Sequence, residues 1–343
     1  MLDFEVNDPP YSEDSNDVDA LLSAMNIKGK VVDIKRGIRI KTYFIELEIG
    51  EKVSKVTSLA TELMLVLKIS QPPRIYALPL TNLIAIETIT TDKPVKIMLQ
   101  DVLSQVEIND YKLPLVVGCE MDGKPYIVDL IDAPHLLIGG TSGAGKSELC
   151  NTIAHSLVER YKNDRNSLEL ILVDPKGTEL VDIKNIHPNV LHVHASDMID
   201  KVLDKALSLM EQRFDKFRAL QVKDIERYRK VKHMSYIVII IDELADILMN
   251  DPKKLRHNKI VRLLQKCRAT GIHFIANTQR PGADVITGTM KANLDAKIAL
   301  KTTDRHHSTT ILGHDGAEKL VGKGDMLIDF YGKVTRVQGA LVA

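Results

Sequence analysis

The sequence lacks most features that define secreted, membrane-spanning or metal-clustered proteins. It has three cysteines, Cys119, Cys150 and Cys267, and they form no CxxC pair, so neither a disulfide framework nor a zinc site is indicated. The longest apolar run, at 237–241, is far too short to cross a bilayer. The acidic N-terminus is also unlike the basic start of a signal peptide. We therefore expect a cytoplasmic protein without direct membrane insertion.

The chain also lacks an excess of either charge. It contains 46 Lys and Arg and 46 Asp and Glu, so net charge alone does not indicate a nucleic-acid partner. Seven acids and no base lie in residues 1–20, which leaves about +7 on the remainder (0 minus −7). A mildly basic body is compatible with phosphate binding and equally with a functionally indifferent surface.

The order of sequence patterns predicts three parts. Residues 1–27 are expected to be a flexible acidic leader, because their acids, Ser, Asn and a Pro-Pro pair cannot bury enough surface to offset the entropy of ordering. Residues 28–110 alternate strand patterns with a helical stretch, which predicts a small α+β module. Residues 111–343 begin with a hairpin at Asp122-Gly123 and continue as apolar strands between helices. This alternation predicts an α/β domain with a central, mainly parallel sheet that is covered on both faces.

The strongest motif is GTSGAGKS at residues 140–147, which follows an apolar strand and precedes a helix. It is a complete GxxxxGK[ST] pattern, in which backbone N–H groups surround the phosphates, the lysine contacts the β and γ oxygens and the hydroxyl is placed for magnesium. The alternative, a glycine-rich turn with a chance lysine, is disfavoured by the complete pattern in this context. We predict ATP and Mg²⁺ as cofactors. The residues assigned to nucleotide binding are Gly140, Thr141, Ser142, Gly143, Ala144, Gly145, Lys146, Ser147 and Glu148.

Two acids, Asp242 and Glu243, follow the apolar run at 237–241. Paired carboxylates at the tip of a central strand are costly unless a cation or a water-activation step needs them. We predict that Asp242 binds magnesium together with Ser147, and that Glu243 is a catalytic residue which orients or deprotonates the attacking water. The alternative is a helix N-cap at Asp242 with an acid in the first turn.

Two further strand ends carry weaker signals. The strand at 273–277 ends in Thr-Gln-Arg-Pro, where Gln279 is predicted to sense the γ-phosphate, with a hydrogen-bonded loop as the alternative. The strand near 172 ends in Asp174-Pro-Lys-Gly, which is equally compatible with a Pro-Gly turn. The histidine pairs at 192/194 and 306/307 have no acids or cysteines at ligand spacing, so we do not assign them a metal.

Taken in order, these segments resemble the motor of the FtsK/SpoIIIE family of DNA translocases. The small module also resembles the α-subdomain that precedes the RecA-like β-subdomain in those motors, and the resemblance covers roughly residues 28–343. The stretches that carry it are KVSKVTSLATELMLVLKI (52–69), PVKIMLQDVL (94–103), PHLLIGGTSGAGKSE (134–148), LILVDPKGTEL (170–180), MEQRF (210–214), YIVIIIDELADILM (236–249), CRATGIHFIANTQRPGADVITGTMKANLDAKIAL (267–300) and TTILGHDGAEKLVGKGDML (309–327).

The resemblance implies a RecA-like P-loop ATPase that assembles as a homo-oligomeric, hexameric ring around double-stranded DNA and moves along it by hydrolysing ATP. Lys146 and Ser147 match the Walker A pair of the family, Asp242 and Glu243 the Walker B pair, and Gln279 the polar sensor. A translocase has to hold the phosphate backbone without reading bases, so the expected DNA binding is independent of sequence and sensitive to salt.

The chain departs from the family pattern at two arginine positions, where it has Lys297 and Thr309. A lysine cannot reproduce the planar fork of an arginine that acts across a subunit boundary. Either Arg280, Arg305 or Lys297 takes that role, or the chain belongs to a slower, divergent branch of the family. In addition, no membrane segment precedes the motor and no winged helix follows RVQGALVA, so neither membrane tethering nor sequence-guided direction is expected.

Two alternatives to a DNA motor stay open at this point. A secretion-type ATPase of the same superfamily, acting on a protein, is favoured by the missing arginines and disfavoured by the module at residues 28–110. A nucleotide-dependent clamp with negligible turnover is the other.

Overall fold

The computed structural model of the protein describes residues 13–89, 96–249, 251 and 253–342. They belong to two compact units, one within residues 1–96 and 119–124, the other within residues 97–118 and 125–343. The boundaries predicted from the sequence, after residues 27 and 110, stay predictions of where separate domains begin.

The smaller unit contains an antiparallel sheet and short helices. Its elements are α1 (Glu13–Ala24), β1 (Gly29–Arg36), β2 (Ile40–Leu47), α2 (Val53–Thr57), α3 (Ala60–Val66), β3 (Arg74–Ala77) and β4 (Leu83–Ile89). The four strands pair in the order β1-β2-β4-β3, and every pair is antiparallel. Tyr43, Ile45 and Ile86 lie on the buried face of this sheet, where they pack with Leu63 of α3. The structure confirms the strand prediction for β2, whose period-two alternation places every second side chain in this core.

The structure differs from the predicted leader at residues 13–24, which form α1. Val18 and Leu22 of this helix are buried in the core of the smaller unit, and Leu21 packs against it. Their spacing of three and four residues forms an apolar stripe along one helix face, and burial of each side chain contributes roughly 1.5–3 kcal/mol. The prediction of a flexible leader was based on overall composition and did not take this burial into account. Residues 1–12 of the predicted leader lie outside the described residues.

The larger unit contains the remaining α-helices and β-strands, apart from the end of β5. They are α4 (Leu99–Leu103), β5 (Pro114–Glu120), β6 (Pro125–Asp129), β7 (His135–Gly139), α5 (Lys146–Arg160), β8 (Leu168–Val173), β9 (Val190–Val193), α6 (Ser196–Ala219), α7 (Ile225–Arg229), β10 (Tyr236–Ile241), α8 (Leu244–Met249), α9 (Leu255–Lys266), β11 (Ile272–Thr278), α10 (Gly288–Lys291), β12 (Ala296–Leu300), α11 (Arg305–Leu312), β13 (Asp325–Phe330) and β14 (Lys333–Gly339). The predicted hairpin is confirmed: Glu120 N donates to Lys124 O over 2.8 Å, and Gly123 has a φ of +86°.

The ten strands of the large sheet are ordered β6-β5-β14-β13-β12-β7-β11-β10-β8-β9. The strands from β12 to β9 are parallel, and β13 and β14 extend the sheet antiparallel. In β10, Val238 and Ile240 belong to one core cluster, while Ile237 and Ile239 belong to another. Because successive strand side chains point to opposite faces, both faces are buried. The predicted α/β class with a covered, mainly parallel sheet is confirmed.

Candidate functional site

Four neighbouring parallel strands, β7, β11, β10 and β8, end at the same edge of the large sheet. Their register places Gly139 beside Thr278 and Ile241 beside both Ala276 and Val173. The motif at 140–147, the acids at 242–243 and the segment at 278–280 therefore emerge side by side. Ligands of open α/β sheets bind at this edge of the strands, which makes it the candidate functional site.

The loop between β7 and α5 is held by backbone hydrogen bonds on one side and has open space on the other. Thr141 N donates to Lys301 O over 2.9 Å, and Gly324 N donates to Ala144 O over 2.9 Å. Gly145 has a φ of +110°, and a Cβ there would lie 3.0 Å from the backbone N of Gly324. At Gly143, with φ +73°, an added Cβ would meet no heavy atom of the described residues within 4 Å, its chain neighbours aside. The loop thus has a fixed backbone and free space on one side, which suits it to surround phosphates.

Lys146 is the cation of this loop, and 8% of it is exposed. Its Nζ donates to Gly140 O at 2.8 Å and to Thr141 O at 2.9 Å. Burial lowers the pKa of Lys146, while Glu243 and Asp242 act in the opposite direction. The ammonium therefore lies close to both acids and donates to carbonyls that phosphate oxygens could replace.

Ser147, on the first turn of α5, donates its hydroxyl to Glu179 Oε2 over 2.9 Å. Glu179 lies in the loop after β8, and the sequence analysis did not single it out. Glu148, the next residue, is exposed at the start of α5, and its carbonyl accepts a hydrogen bond from Thr152. The structure therefore places the hydroxyl of Ser147 beside the Glu179 carboxylate, and the Glu148 side chain in solvent.

Asp242 is buried beside other carboxylates. Burial raises its pKa to about 7, and Asp174 and Glu179 add to this effect. Its Oδ2 atom has no hydrogen-bond partner among the described residues. A buried carboxylate oxygen in a negative environment is stabilised by a cation, so Asp242 and Ser147 fit Mg²⁺ held together with nucleotide phosphates. An all-protein cage is not needed for such an ion, and none with three or more His, Cys, Asp or Glu occurs in the part of the chain that the structure describes.

Glu243 is held by the neighbouring strand end. Its Oε1 accepts from Thr278 Oγ1 at 2.7 Å and from Ala245 N at 3.1 Å, and its Oε2 accepts from Gln279 N at 2.8 Å. Gln279, the predicted sensor, thus contacts Glu243 through its backbone, and its side chain is half-buried. These contacts fix the carboxylate between β10 and β11.

The fourth strand end is organised around Asp174, which is fully buried. Burial raises its pKa, but the backbone N–H groups of Leu180, Gly177 and Glu179 reverse this effect, and the net pKa is lowered. The Pro-Gly turn considered from the sequence is present. The Asp174 carboxylate orders the loop that carries Glu179. His192 Nε2 lies 3.4 Å from Asp174 Oδ2.

The candidates for the missing arginines lie in different surroundings. Lys297 of β12 is largely buried, and its Nζ lies 3.7 Å from Asp329 Oδ2. Arg305 is 77% exposed at the start of α11, and Arg280 is exposed directly after β11. Thr309, at the second departure, is exposed on α11.

The sequence analysis missed Glu179 and Thr278 as parts of the site. No motif marks Glu179, since its place depends on how the loop folds around Asp174. Thr278 directly precedes the predicted sensor, and its position at the end of β11 was the available signal. Within the described residues, no helix combines the length and apolar character required to cross a membrane.

Comparison with known proteins gives consistent matches over most of the chain. The FtsK/SpoIIIE family model matches residues 99–283, and the FtsK alpha domain matches residues 5–88. The DNA translocase FtsK of Haemophilus influenzae is 36% identical, with 96% of this chain and 68% of the relative covered. That of Caldanaerobacter subterraneus subsp. tengcongensis is 38% identical, with 96% and 47% covered. The DNA translocase SftA of Bacillus subtilis is 36% identical, with 95% and 35% covered. The chain thus spans about a third to two thirds of these relatives.

Two solved structures share the fold. The pCW3 conjugation coupling protein TcpA, in its monomer form with ATPγS, has a TM-score of 0.67 at 21% identity and covers 96% of this chain and 95% of its own. The cytoplasmic domain of the type VII secretion ATPase EccC from Thermomonospora curvata has a TM-score of 0.63 at 22% identity and covers 72% of this chain and 32% of its own. From the family matches, the curated relatives and this shared fold, the chain belongs to the FtsK/SpoIIIE family and has the RecA-like fold of its P-loop ATPases.

Proposed function

We propose that the protein hydrolyses ATP and uses the free energy to move double-stranded DNA. The observation that carries the proposal is the meeting of Lys146, Ser147, Asp242 and Glu243 at one edge of the sheet. The P-loop lysine is close enough to both acids for them to influence its pKa, as a single nucleotide site requires. Relatives named DNA translocases, which match at least 95% of this chain, support duplex DNA as the substrate.

Within this site the residues have separate tasks. Lys146 is positioned to exchange its two carbonyl acceptors for β and γ oxygens of the nucleotide. Ser147 and Asp242 would hold Mg²⁺, which neutralises phosphate charge when it is bound. Glu243, fixed by Thr278 and Gln279, is positioned to orient water or to accept its proton. Gln279 is the proposed sensor of the γ-phosphate.

We further propose a homo-oligomeric, hexameric ring in the cytoplasm that binds duplex DNA without reading its sequence. Binding of this kind depends on phosphate contacts, and its affinity falls steeply as salt rises. Lys297 is largely buried beside Asp329, and Arg305 is exposed but lies 3.1 Å from Asp315 Oδ2. The exposed Arg280, directly after β11, is therefore better placed than either to act across a subunit boundary.

The second candidate, an ATPase that acts on a protein chain, is favoured by Lys297 and Thr309 at the arginine positions. The match of residues 5–88 to the FtsK alpha domain favours the DNA motor.

The test measures phosphate release by the purified chain with and without random-sequence duplex DNA at low salt. We expect duplex to stimulate hydrolysis at least 10-fold. Glu243→Gln should keep ATP affinity within about 3-fold and lose at least 10²-fold in rate.

A rate indifferent to duplex, with no mobility shift of the DNA, would contradict the DNA motor and favour a protein substrate. Negligible turnover by the wild type in every condition would instead indicate a nucleotide-dependent clamp.

A further inference from the structure

The carboxylate of Glu179, which belongs neither to the P-loop nor to the pair of acids after β10, lies directly beside Ser147. Ser147 Oγ donates to Glu179 Oε2 over 2.9 Å, although 32 positions separate the two residues in the chain. Glu179 belongs to the loop that follows β8, and β8 lies next to β10 in the sheet. The strand end at β8 therefore contributes an acid to the nucleotide site, in addition to the pair at the end of β10.

The loop at 174–180 is folded so that Glu179 is held in place. Asp174 Oδ1 accepts from Gly177 N at 2.9 Å. Its Oδ2 accepts from Glu179 N at 2.9 Å and from Leu180 N at 3.1 Å. Asp174 and Leu180 are both fully buried. Since the backbone of Glu179 is fixed on both sides, its contact with Ser147 is part of an ordered loop.

A second observation links Glu179 to a cation. Asp242 Oδ2 is buried without a hydrogen-bond partner among the described residues, and Asp242 itself is 7% exposed. Glu179 in turn accepts a hydrogen bond from Ser147, the other residue that would hold Mg²⁺, over 2.9 Å. A site with this much negative charge and an unpaired buried oxygen favours a ligand that brings positive charge.

We propose that Glu179 is a positioning residue for the magnesium form of the nucleotide. Its carboxylate orients the Ser147 hydroxyl and adds negative charge that disfavours free ATP and favours ATP bound to Mg²⁺. The inference deepens the proposed ATPase function and rests on it. Glu179 thereby makes nucleotide binding more dependent on magnesium than Ser147 and Asp242 alone would.

The test compares the dissociation constant of a non-hydrolysed ATP analogue in excess Mg²⁺ with that in EDTA. Calorimetry of the full chain gives both values for the wild type, Glu179→Gln, Glu179→Asp and Asp182→Asn. We expect Glu179→Gln to reduce the gain in affinity due to Mg²⁺ by about 10-fold. In EDTA it should bind at least as tightly as the wild type, because a like charge is removed. Glu179→Asp should retain most of the gain.

Asp182→Asn is the matched control, because Asp182 is an exposed acid shortly after Glu179 in the same segment. It should leave both dissociation constants unchanged. Thermal melting of each variant shows whether the loop still folds.

Two results for Glu179→Gln would overturn the inference while the ATPase proposal stands. Equal weakening in Mg²⁺ and EDTA would mean that Glu179 only shapes the loop. Tighter binding in Mg²⁺ would mean that it merely competes for the Ser147 hydroxyl. If the wild type itself showed no affinity for the magnesium nucleotide, the ATPase proposal would fail together with the inference.

Discussion

The two ends of the parallel strands bury polar groups in opposite ways. At the amino ends, burial lowers the pKa of His135 to about 3 and that of His273 to about 4. Both rings are therefore neutral: His135 Nδ1 accepts from Phe274 N at 3.2 Å, and His273 Nδ1 lies 3.0 Å from Pro134 O. At the carboxyl ends, burial raises the pKa of Asp242 to about 7, beside further acids.

The difference separates polar groups that serve the fold from those that serve the ligand. Each of the two histidines at the amino ends has one ring nitrogen in contact with backbone, that of Phe274 or Pro134, and carries no charge near neutral pH. The carboxyl ends gather acids and a lysine whose charges oppose burial and are compensated when a ligand binds. Stability and activity are therefore expected to respond in opposite directions at this edge.

The largest expected effect comes from removing the cation at the carboxyl ends. Lys146→Ala should reduce ATP hydrolysis by about 10²–10³-fold, because the charge on the outer phosphates loses its partner. The melting temperature should change little, since burial disfavours the charged form of Lys146. Phosphate release at saturating ATP and thermal melting check both statements. The control is Lys205→Ala, at an exposed site on α6, which should hydrolyse ATP at the rate of the wild type. If Lys146→Ala itself kept hydrolysis within 3-fold of the wild type, the assignment of Lys146 would be refuted.

Asp242→Asn sharpens the comparison by separating stability from activity. The folded pKa lies above the ordinary value of 3.8, so the folded, nucleotide-free protein binds more protons than the unfolded chain between about pH 4 and 7. Its stability therefore falls as pH rises through this range. The variant should gain about 2 kcal/mol at pH 8 and lose at least 10²-fold in hydrolysis. Urea denaturation at pH 8 without nucleotide measures the gain, and a loss of stability would contradict the account.

The amino ends should have the opposite pH dependence. Below about pH 6.5 the unfolded chain binds protons that the buried His135 and His273 do not, so stability is lost as pH falls, by about 2 kcal/mol per histidine at pH 5. His135→Asn keeps an acceptor for Phe274 N and removes one titrating group. The difference in unfolding free energy between pH 8 and pH 5 should shrink by about 2 kcal/mol.

Urea denaturation at the two pH values provides this measurement. His306→Asn, at an exposed position on α11, should leave the difference unchanged. An equal pH difference in the wild type and His135→Asn would show that His135 already titrates normally.

The smallest expected effect is at the contact between the two strand ends. Thr278→Val removes the hydroxyl that donates to Glu243 over 2.7 Å, while two backbone N–H groups still hold the carboxylate. A hydrogen bond to a charged group contributes roughly 1.5 kcal/mol, so kcat should fall about 10-fold with little change in KM. Steady-state kinetics test this, and Thr278→Ser should restore the rate. A Ser variant as slow as the Val variant would assign the effect to packing.

Much of the site could be predicted because its residues follow apolar strands directly. The P-loop and the acids after β10 each have a local pattern, and the carboxyl ends of parallel strands share one edge. The positions of Lys146 and Asp242 relative to each other follow from that topology. Because each of the two residues follows an apolar strand, the sequence alone was enough to predict that they lie at the same edge of the sheet.

The parts that could not be predicted depend on contacts between distant segments. Glu179 reaches Ser147 only because the loop at 174–180 folds around a buried Asp174. The helix α1 was missed since its overall composition is acidic, and its contribution to the core comes from a short stripe that includes Val18, Leu21 and Leu22. Gln279 has the predicted place at the strand end, but its backbone rather than its side chain makes the contact with Glu243.

The bracing of the P-loop has a consequence for the order in which the protein matures. Gly324 N holds Ala144 O, and Asp325 beside it forms a buried ion pair with Arg336, with Nε 2.9 Å from Oδ1. These partners are synthesised long after the loop itself. A nascent chain that has reached only β12 on the ribosome would carry the complete phosphate-binding motif without the Gly324 contact, so we expect the ability to capture nucleotide to arise late in synthesis.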